Sequence, residues 1–306
     1  MTAAAAAIRE VPADGPPAGL RPRPARKAFV VGHPIKHSRS PLIHGTWLDA
    51  YGLPGSYERI DVAPADFPRF LKGFAAEGYA GGNVTIPHKE AAFAGVDRRT
   101  ERAERLRAVN TLWIEDGVLW GDNTDVTGFM AHLDASLGAG WDGGVATALV
   151  LGAGGAARAV VAGLLERRFD RVLVANRTGE RAQEVAQAFA GDGGTRIVPL
   201  AWEALDAALG EVDLLVNTTS LGMAGQPPLA LDLARLPGRA AVADIVYVPL
   251  ETPLLAQARA RSLRAVDGLG MLLHQAVPGF ARWFGVTPEV TPELRALIAA
   301  DIEGRR

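Results

Sequence analysis

From Lys27 to Ile302 two hydrophobic rhythms keep replacing one another along the chain. Short, mostly apolar runs bounded by Gly or polar residues have the length and make-up of buried strands, and longer stretches between them place apolar residues at helical spacing. In the first third this predicts strands at 28–31, 57–62, 82–86 and 111–114. Ser40-Pro41 reads as an N-cap followed by proline at the first helical position, opening a helix that runs to about Tyr51 and stops near Gly52. Further helices are predicted at 65–76, 88–93 and 100–107. Glu115-Asp116-Gly117 is a turn signal between two apolar runs, so 111–120 reads as a hairpin, followed by a helix at 124–137. The glycine-rich stretch 138–144 reads as a linker. A second alternating series follows, with strands at 148–151, 171–175, 196–199, 213–216 and 242–246 and helices between them. Two helices, 269–284 with a kink expected at Pro278 and 288–302, close the chain.

Alternation of this kind predicts an α/β protein with parallel sheets covered by helices on both faces. A length of 306 residues suits two domains, and a hydrophobic content of 48% is ample for both cores. A net charge of -2 gives no reason to expect nucleic acid or an anionic membrane as partner. No apolar run approaches the roughly 18 residues of a membrane span. The absence of cysteine excludes disulfides, thiolate nucleophiles and thiolate metal sites, and suits a cytoplasmic location. No metal is expected either: His33, His37 and His44 lie close in sequence, but Pro34 and Pro41 break any shared helical face. Residues 1–26, rich in Ala, Pro and Arg, lack the regions of a secretory signal and read as a disordered tail.

The sharpest chemical signal follows the strand at 148–151. Gly152-Ala153-Gly154-Gly155-Ala156-Ala157 is a G-x-G-x-x-A motif between a strand and a helix, where glycines let a pyrophosphate approach backbone N–H groups at a helix N-terminus. The next strand ends at Asn176-Arg177-Thr178, with Arg181 one turn on. An acidic residue near this place would hold a ribose 2′-hydroxyl, whereas a guanidinium pairs with a 2′-phosphate; the expected cofactor is therefore NADP.

The first third carries polar clusters at predicted strand ends. These are Ser38 and Ser40 beside Arg39, Asn83-Val-Thr85-Ile-Pro-His-Lys89, Asn110-Thr111, and Gly121-Asp-Asn-Thr-Asp125. Ligands of open parallel sheets sit outside the carboxyl ends of the strands, so these clusters suggest one hydroxyl-rich small molecule.

These stretches, with Val31–Pro41, Ala108–Thr111 and Asp267-Gly-Leu-Gly-Met-Leu-Leu-His-Gln275, resemble the shikimate dehydrogenase family from Lys27 to the end of the chain. The resemblance implies NADPH-dependent reduction of 3-dehydroshikimate to shikimate, with Lys89 and Asp125 at the reacting carbonyl. It implies that Ser38 and Ser40 hold the substrate carboxylate, that Thr85, Asn110 and Gln275 surround the ring, and that Tyr247 borders it. Ile245 and Gly268 are expected near the nicotinamide. It also implies a discontinuous α/β substrate domain, 27–125 with 268–306, around a Rossmann-type, doubly wound NADP-binding domain at 126–267. The one departure is Val126, where the family often has glycine. Two other readings remain at this point: a quinate/shikimate dehydrogenase of broader substrate use, and a non-catalytic sensor of NADP or of a pathway intermediate. A homodimer is the candidate assembly.

Overall fold

The computed structural model describes residues 24–305 except 168, 192 and 193. The tail expected at 1–26 lies outside the described residues up to position 23; Arg26 is already a strand residue, paired with Gly55. The first half runs β1 (Arg26–Gly32), α1 (Ser40–Ala50), β2 (Gly55–Asp61), α2 (Phe67–Gly73), β3 (Tyr79–Val84), α3 (Lys89–Gly95), β4 (Arg98–Arg99), α4 (Glu101–Leu106), β5 (Thr111–Glu115), β6 (Val118–Asp122) and α5 (Asp125–Leu137). The second runs β7 (Thr147–Leu151), α6 (Gly155–Glu166), β8 (Arg171–Ala175), α7 (Gly179–Ala188), β9 (Arg196–Leu200), α8 (Leu205–Ala208), β10 (Leu214–Asn217), β11 (Ala241–Asp244), α9 (Pro253–Ala260) and β12 (Arg264–Val266). Helices α10 (Leu269–Phe284) and α11 (Pro292–Ile302) end the chain.

These strands form two six-stranded sheets. The first, ordered β2-β1-β3-β5-β6-β4, is mixed: β5 is antiparallel to both β3 and β6. The second, ordered β12-β11-β10-β7-β8-β9, is parallel at every pairing. Counted from β7 its order is 3-2-1-4-5-6, the doubly wound dinucleotide-binding arrangement.

Strand period decides which helices cover which face. In the second sheet Ala148, Val150, Val172, Val174, Leu214 and Val216 pack against α5, α6 and α7. Their neighbours Leu149, Leu151, Leu173, Ala175 and Leu215 pack against α8 and α9. Both faces are therefore apolar, which is why these strands read as continuous hydrophobic runs. In the first sheet Ala28, Val30 and Trp113 meet α1, α10 and α11, while Phe29, Val31, Val84 and Leu112 meet α2, α3 and α4. The last two helices thus return to complete the first sheet. Val126 is buried beside Phe129 and Met130 where α5 meets α6, so a β-branched side chain suits the position.

Several expected boundaries move. Arg39, not Ser40, is the N-cap of α1, and no side chain caps it; Ser40 is the first helical residue. Helix α11 starts at Pro292 rather than Pro288, because the Thr291 hydroxyl accepts the Leu294 N–H. Helix α10 runs unbroken through Pro278. Strands β4 and β12 were not expected; they have 2 and 3 residues and carry too short a pattern to read. The hairpin stands as expected, with φ of 52° at Asp116 and 77° at Gly117, the positive pair that a two-residue turn needs.

Candidate active site

A cleft of about 490 Å³ lies between the two sheets. It brings together Ser38, Ser40, Thr85, Lys89, Asn110, Asp125, Tyr247 and Gln275, together with Ala156, Ile245 and Gly268 from the cofactor side. Residues far apart in sequence converge because α10 carries Gln275 back to the first sheet while β3, β5 and α5 present their ends to the same space.

Lys89 is the first residue of α3 and Asp125 the first of α5. A carboxylate in the first turn is favoured by the helix dipole, whereas an ammonium there is not, so α3 gains from a nearby negative charge. Asp125 supplies it: Lys89 Nζ lies 2.6 Å from Asp125 Oδ2. The other carboxylate oxygen, Oδ1, accepts a 2.8 Å hydrogen bond from Asn110 Nδ2. His88, just before Lys89, stacks on Phe67 with centroids 4.3 Å apart and meets the Val62 carbonyl at 2.7 Å through Nε2, so the start of α3 is anchored from below.

The serine loop is held by β2. Arg59 donates two hydrogen bonds, 2.8 and 2.6 Å, to the Ser38 carbonyl. Asp61 takes the Ile35 N–H at 3.1 Å and lies 2.6 Å from His33 Nδ1; that imidazole contact, with the Ile35 bond, holds the Asp61 carboxyl below its ordinary range. The Ser38 and Ser40 hydroxyls stand 3.3 Å apart, close enough to grip one small anionic group together. Gln275 Nε2 donates to the Leu272 carbonyl at 3.0 Å within α10.

On the cofactor side Gly152 has φ +107°, and a Cβ there would come within 2.6 Å of Thr218 Oγ1. Gly154 is the N-cap of α6 and caps it with no side chain, and a Cβ at Gly154 or Gly155 would meet nothing within 4 Å. The space over this turn is therefore open, and the first-turn N–H groups of a 12-residue helix face it without intrahelical partners. Ala153, inside the turn, packs partly buried against the core in which Ala157 is fully buried. Asn176, Arg177 and Thr178 follow β8 directly; Asn176 Nδ2 closes the turn on the Thr178 carbonyl at 3.0 Å. Arg177 and Arg181 are both exposed there, beside the sheet end that the glycine turn also borders. A pyrophosphate at the helix end and a 2′-phosphate at the arginines fit this surface.

The segment carrying Ile245 and Tyr247 is fixed by a buried carboxyl. Asp244 accepts from Asn217 Nδ2 at 2.9 Å, the Val246 N–H at 3.0 Å and the Thr252 hydroxyl at 2.7 Å. Burial nevertheless pushes its carboxyl above the ordinary range. Neither this set nor the cleft-lining His37, Ile86, Met271 and Leu272 was foreseen. Ile86, 75% exposed, follows Thr85 directly, and its isolated apolar side chain within a polar motif was the available signal.

Comparison with known proteins matches three parts of the chain to described families. Residues 30–112 match the family described as "Shikimate dehydrogenase substrate binding domain". Residues 141–224 match "Shikimate / quinate 5-dehydrogenase", and residues 268–297 match "Shikimate 5'-dehydrogenase C-terminal domain". Shikimate dehydrogenase (NADP(+)) of Methylobacterium radiotolerans is 66% identical over 282 residues, covering 91% of this chain and 98% of the relative. The chain belongs to the shikimate dehydrogenase family. Another NADP(+) shikimate dehydrogenase, from Azorhizobium caulinodans, is 57% identical over 92% of this chain and 98% of its own. Among solved members of the family, the Thermus thermophilus enzyme in complex with NADP(H) and shikimate superposes with a TM-score of 0.77 at 38% identity, covering 90% and 99% of the two chains. Quinate dehydrogenase from Corynebacterium glutamicum, in complex with NAD, gives 0.82 at 31% identity, covering 90% and 99%. Among the described residues no helix is long and apolar enough to cross a membrane.

Proposed function

We propose that this chain reduces 3-dehydroshikimate to shikimate with NADPH, reversibly, and that Lys89 and Asp125 handle the proton. The observation that carries the reading is the Lys89–Asp125 pair at 2.6 Å, facing the cleft between the serine loop and the N-terminus of α6. The reading assigns residues 27–125 with 268–306 to the substrate and 126–267 to the cofactor. A cytoplasmic setting and a homodimer belong to the same reading.

The glycine turn at 152–155, with Arg177 and Arg181, would hold NADPH, which would supply the hydride for the ketone carbon. The chain's own residues do the rest. Ser38 and Ser40 donate hydroxyl hydrogens to the substrate carboxylate, with Arg59 holding their loop from outside. Thr85, Asn110 and Gln275 surround the ring, and Tyr247 closes its border. As negative charge grows on the carbonyl oxygen, the Lys89 ammonium stabilises it and gives it a proton. Asp125 orients that ammonium through Oδ2 and is itself held through Oδ1 by Asn110. In the reverse direction Lys89 takes the hydroxyl proton back. The pairing favours a fixed side-chain direction over a free lysine, which is what a proton transfer at hydrogen-bond distance requires.

The test is NADPH oxidation with 3-dehydroshikimate, run beside NADH, beside quinate oxidation with NADP, and beside Lys89→Ala. Turnover with NADPH is expected, with a loss of order 10²–10⁴ in kcat for the variant. Parental turnover in Lys89→Ala would remove Lys89 from the chemistry. A folded protein that binds NADPH and turns over neither substrate would instead be a sensor.

A further inference from the structure

Behind the Lys89–Asp125 pair runs a chain of buried polar side chains, of which Asn83 and Asn110 reach the cleft wall while Tyr57, Thr111 and Thr124 do not line it. Tyr57 OH donates to Asn83 Oδ1 at 2.6 Å. Asn83 Nδ2 donates to the Asn110 carbonyl at 3.1 Å and to Thr111 Oγ1 at 3.2 Å. The Thr111 hydroxyl donates to Asn110 Oδ1 at 2.9 Å. That oxygen also takes the Thr124 N–H at 2.8 Å and faces the Thr124 hydroxyl at 3.1 Å. Asn83, Asn110, Thr111 and Thr124 are 5%, 3%, 1% and 1% exposed, so water does not compete for these groups.

The consequence lies in the direction of one carboxamide. An asparagine amide has an accepting end and a donating end, and its neighbours decide which way it faces. Donors converge on Asn110 Oδ1 from Thr111 and Thr124, so the NH₂ group is forced toward Asp125. The opposite orientation would set the NH₂ against the Thr124 N–H and the amide oxygen against a carboxylate oxygen. Thr111 is central to this arrangement: its hydroxyl joins the Asn83 and Asn110 side chains, and the β3–β5 pairing, Asn83 opposite Thr111, sets its place.

We propose that Thr111 is a positioning residue of the reaction: by locking the Asn110 amide it holds the Asp125 carboxylate, and through it the Lys89 ammonium, in one direction. The proposal rests on the assignment of Lys89 and Asp125 to proton handling. Thr111 touches neither substrate nor cofactor, so its loss should appear in kcat and not in cofactor affinity.

Thr111→Val replaces the hydroxyl with a methyl of similar shape, and Thr111→Ser keeps the hydroxyl. With the full-length protein and 3-dehydroshikimate, Thr111→Val is expected to lower kcat on the order of tenfold, the worth of one lost buried hydrogen bond. Its pH profile should move, while KM for NADPH stays within about twofold, a margin well under one hydrogen bond. Thr111→Ser is expected to restore kcat and profile together. If Thr111→Val keeps the parental kcat and profile in an enzyme that Lys89→Ala disables, the positioning role fails alone. If Lys89→Ala leaves turnover intact, both readings fall. If Thr111→Ser, which keeps the hydroxyl, loses as much kcat as Thr111→Val, or if Val does not fold while Ser folds and is impaired, the effect does not track the hydroxyl, which also overturns the proposal.

Discussion

His44 is fully buried, stacks on Tyr57 with centroids 3.9 Å apart, and offers neither ring nitrogen a hydrogen-bond partner. Burial pushes its pKa down from 6.5 to about 3, so the folded protein holds it neutral where the unfolded chain would protonate it. The sign follows: the stabilisation is complete above pH 6.5 and is lost as pH falls toward 3. The loss approaches about 1.4 kcal/mol per pH unit for one such proton. His274, lowered to about 4, acts in the same direction. Urea unfolding between pH 7 and 4.5 should therefore show a shallower decline in His44→Phe than in the parent; equal slopes would refute the assignment. On the cofactor side, Arg177→Asp should cost NADPH about 1.5–3 kcal/mol in kcat/KM and NADH much less. Equal losses would sink the 2′-phosphate assignment. At this scale the sequence was most legible where a residue's chemistry is rare in its setting, as with Arg177 where an acid is common or Lys89 closing a polar strand end. Thr111 was legible only as part of a polar strand-end cluster, and His44 only as one of three histidines close in sequence. Their roles depend on which strands pair and on what is buried, and neither follows from the local pattern.

Elements set how firmly those residues are held. Strand β2 reaches past its own sheet partners to grip the serine loop through Arg59 and Asp61. Arg59→Leu should raise KM for shikimate several-fold, a loss on the scale of one charge-assisted hydrogen bond, with a smaller change in kcat. Steady-state kinetics check it, and an unchanged KM would mean the loop holds itself. Thr291 caps α11, and Thr291→Ala should lower stability by about 1 kcal/mol, measured as unfolding free energy. The alternation of strands and helices was readable because each rhythm persists over several residues. The ends were less so: Ser40-Pro41 looks like a cap and first turn, yet the helix begins with Ser40 itself, since proline is also at home at the second helical position. Strand β12 escaped because an edge strand of 3 residues shows one exposed, one half-buried and one buried position, no more than a loop could.

At the scale of the molecule the cleft exists because two sheets share two connections, α5 and α10, whose faces pack on each other. His132 of α5 fits against Gly270 of α10 so closely that a Cβ there would fall 1.9 Å from Nδ1. Gly270→Val should therefore disturb the angle between the halves, and substrate and cofactor KM should both rise; a change in only one would argue against this shared joint. The two-domain α/β plan was legible from the break at 138–144 and the two alternating series. The placement of the last helices followed only from resemblance, since nothing in their amphipathic pattern says which sheet they cover.

That return has a consequence for how the chain is made. Ala28, Val30 and Trp113 of the first sheet are covered by Leu273, Ala276, Phe280 and Trp283, residues that leave the ribosome only after the whole parallel sheet. Translation therefore delivers the N-terminal strands long before their cover, whereas every strand of the parallel sheet and its helices emerge in one uninterrupted stretch. Domains tend to fold as units during synthesis. The nascent cofactor half should then be structured first, with the half made earliest waiting, one face still partly apolar and open, for α10 to emerge.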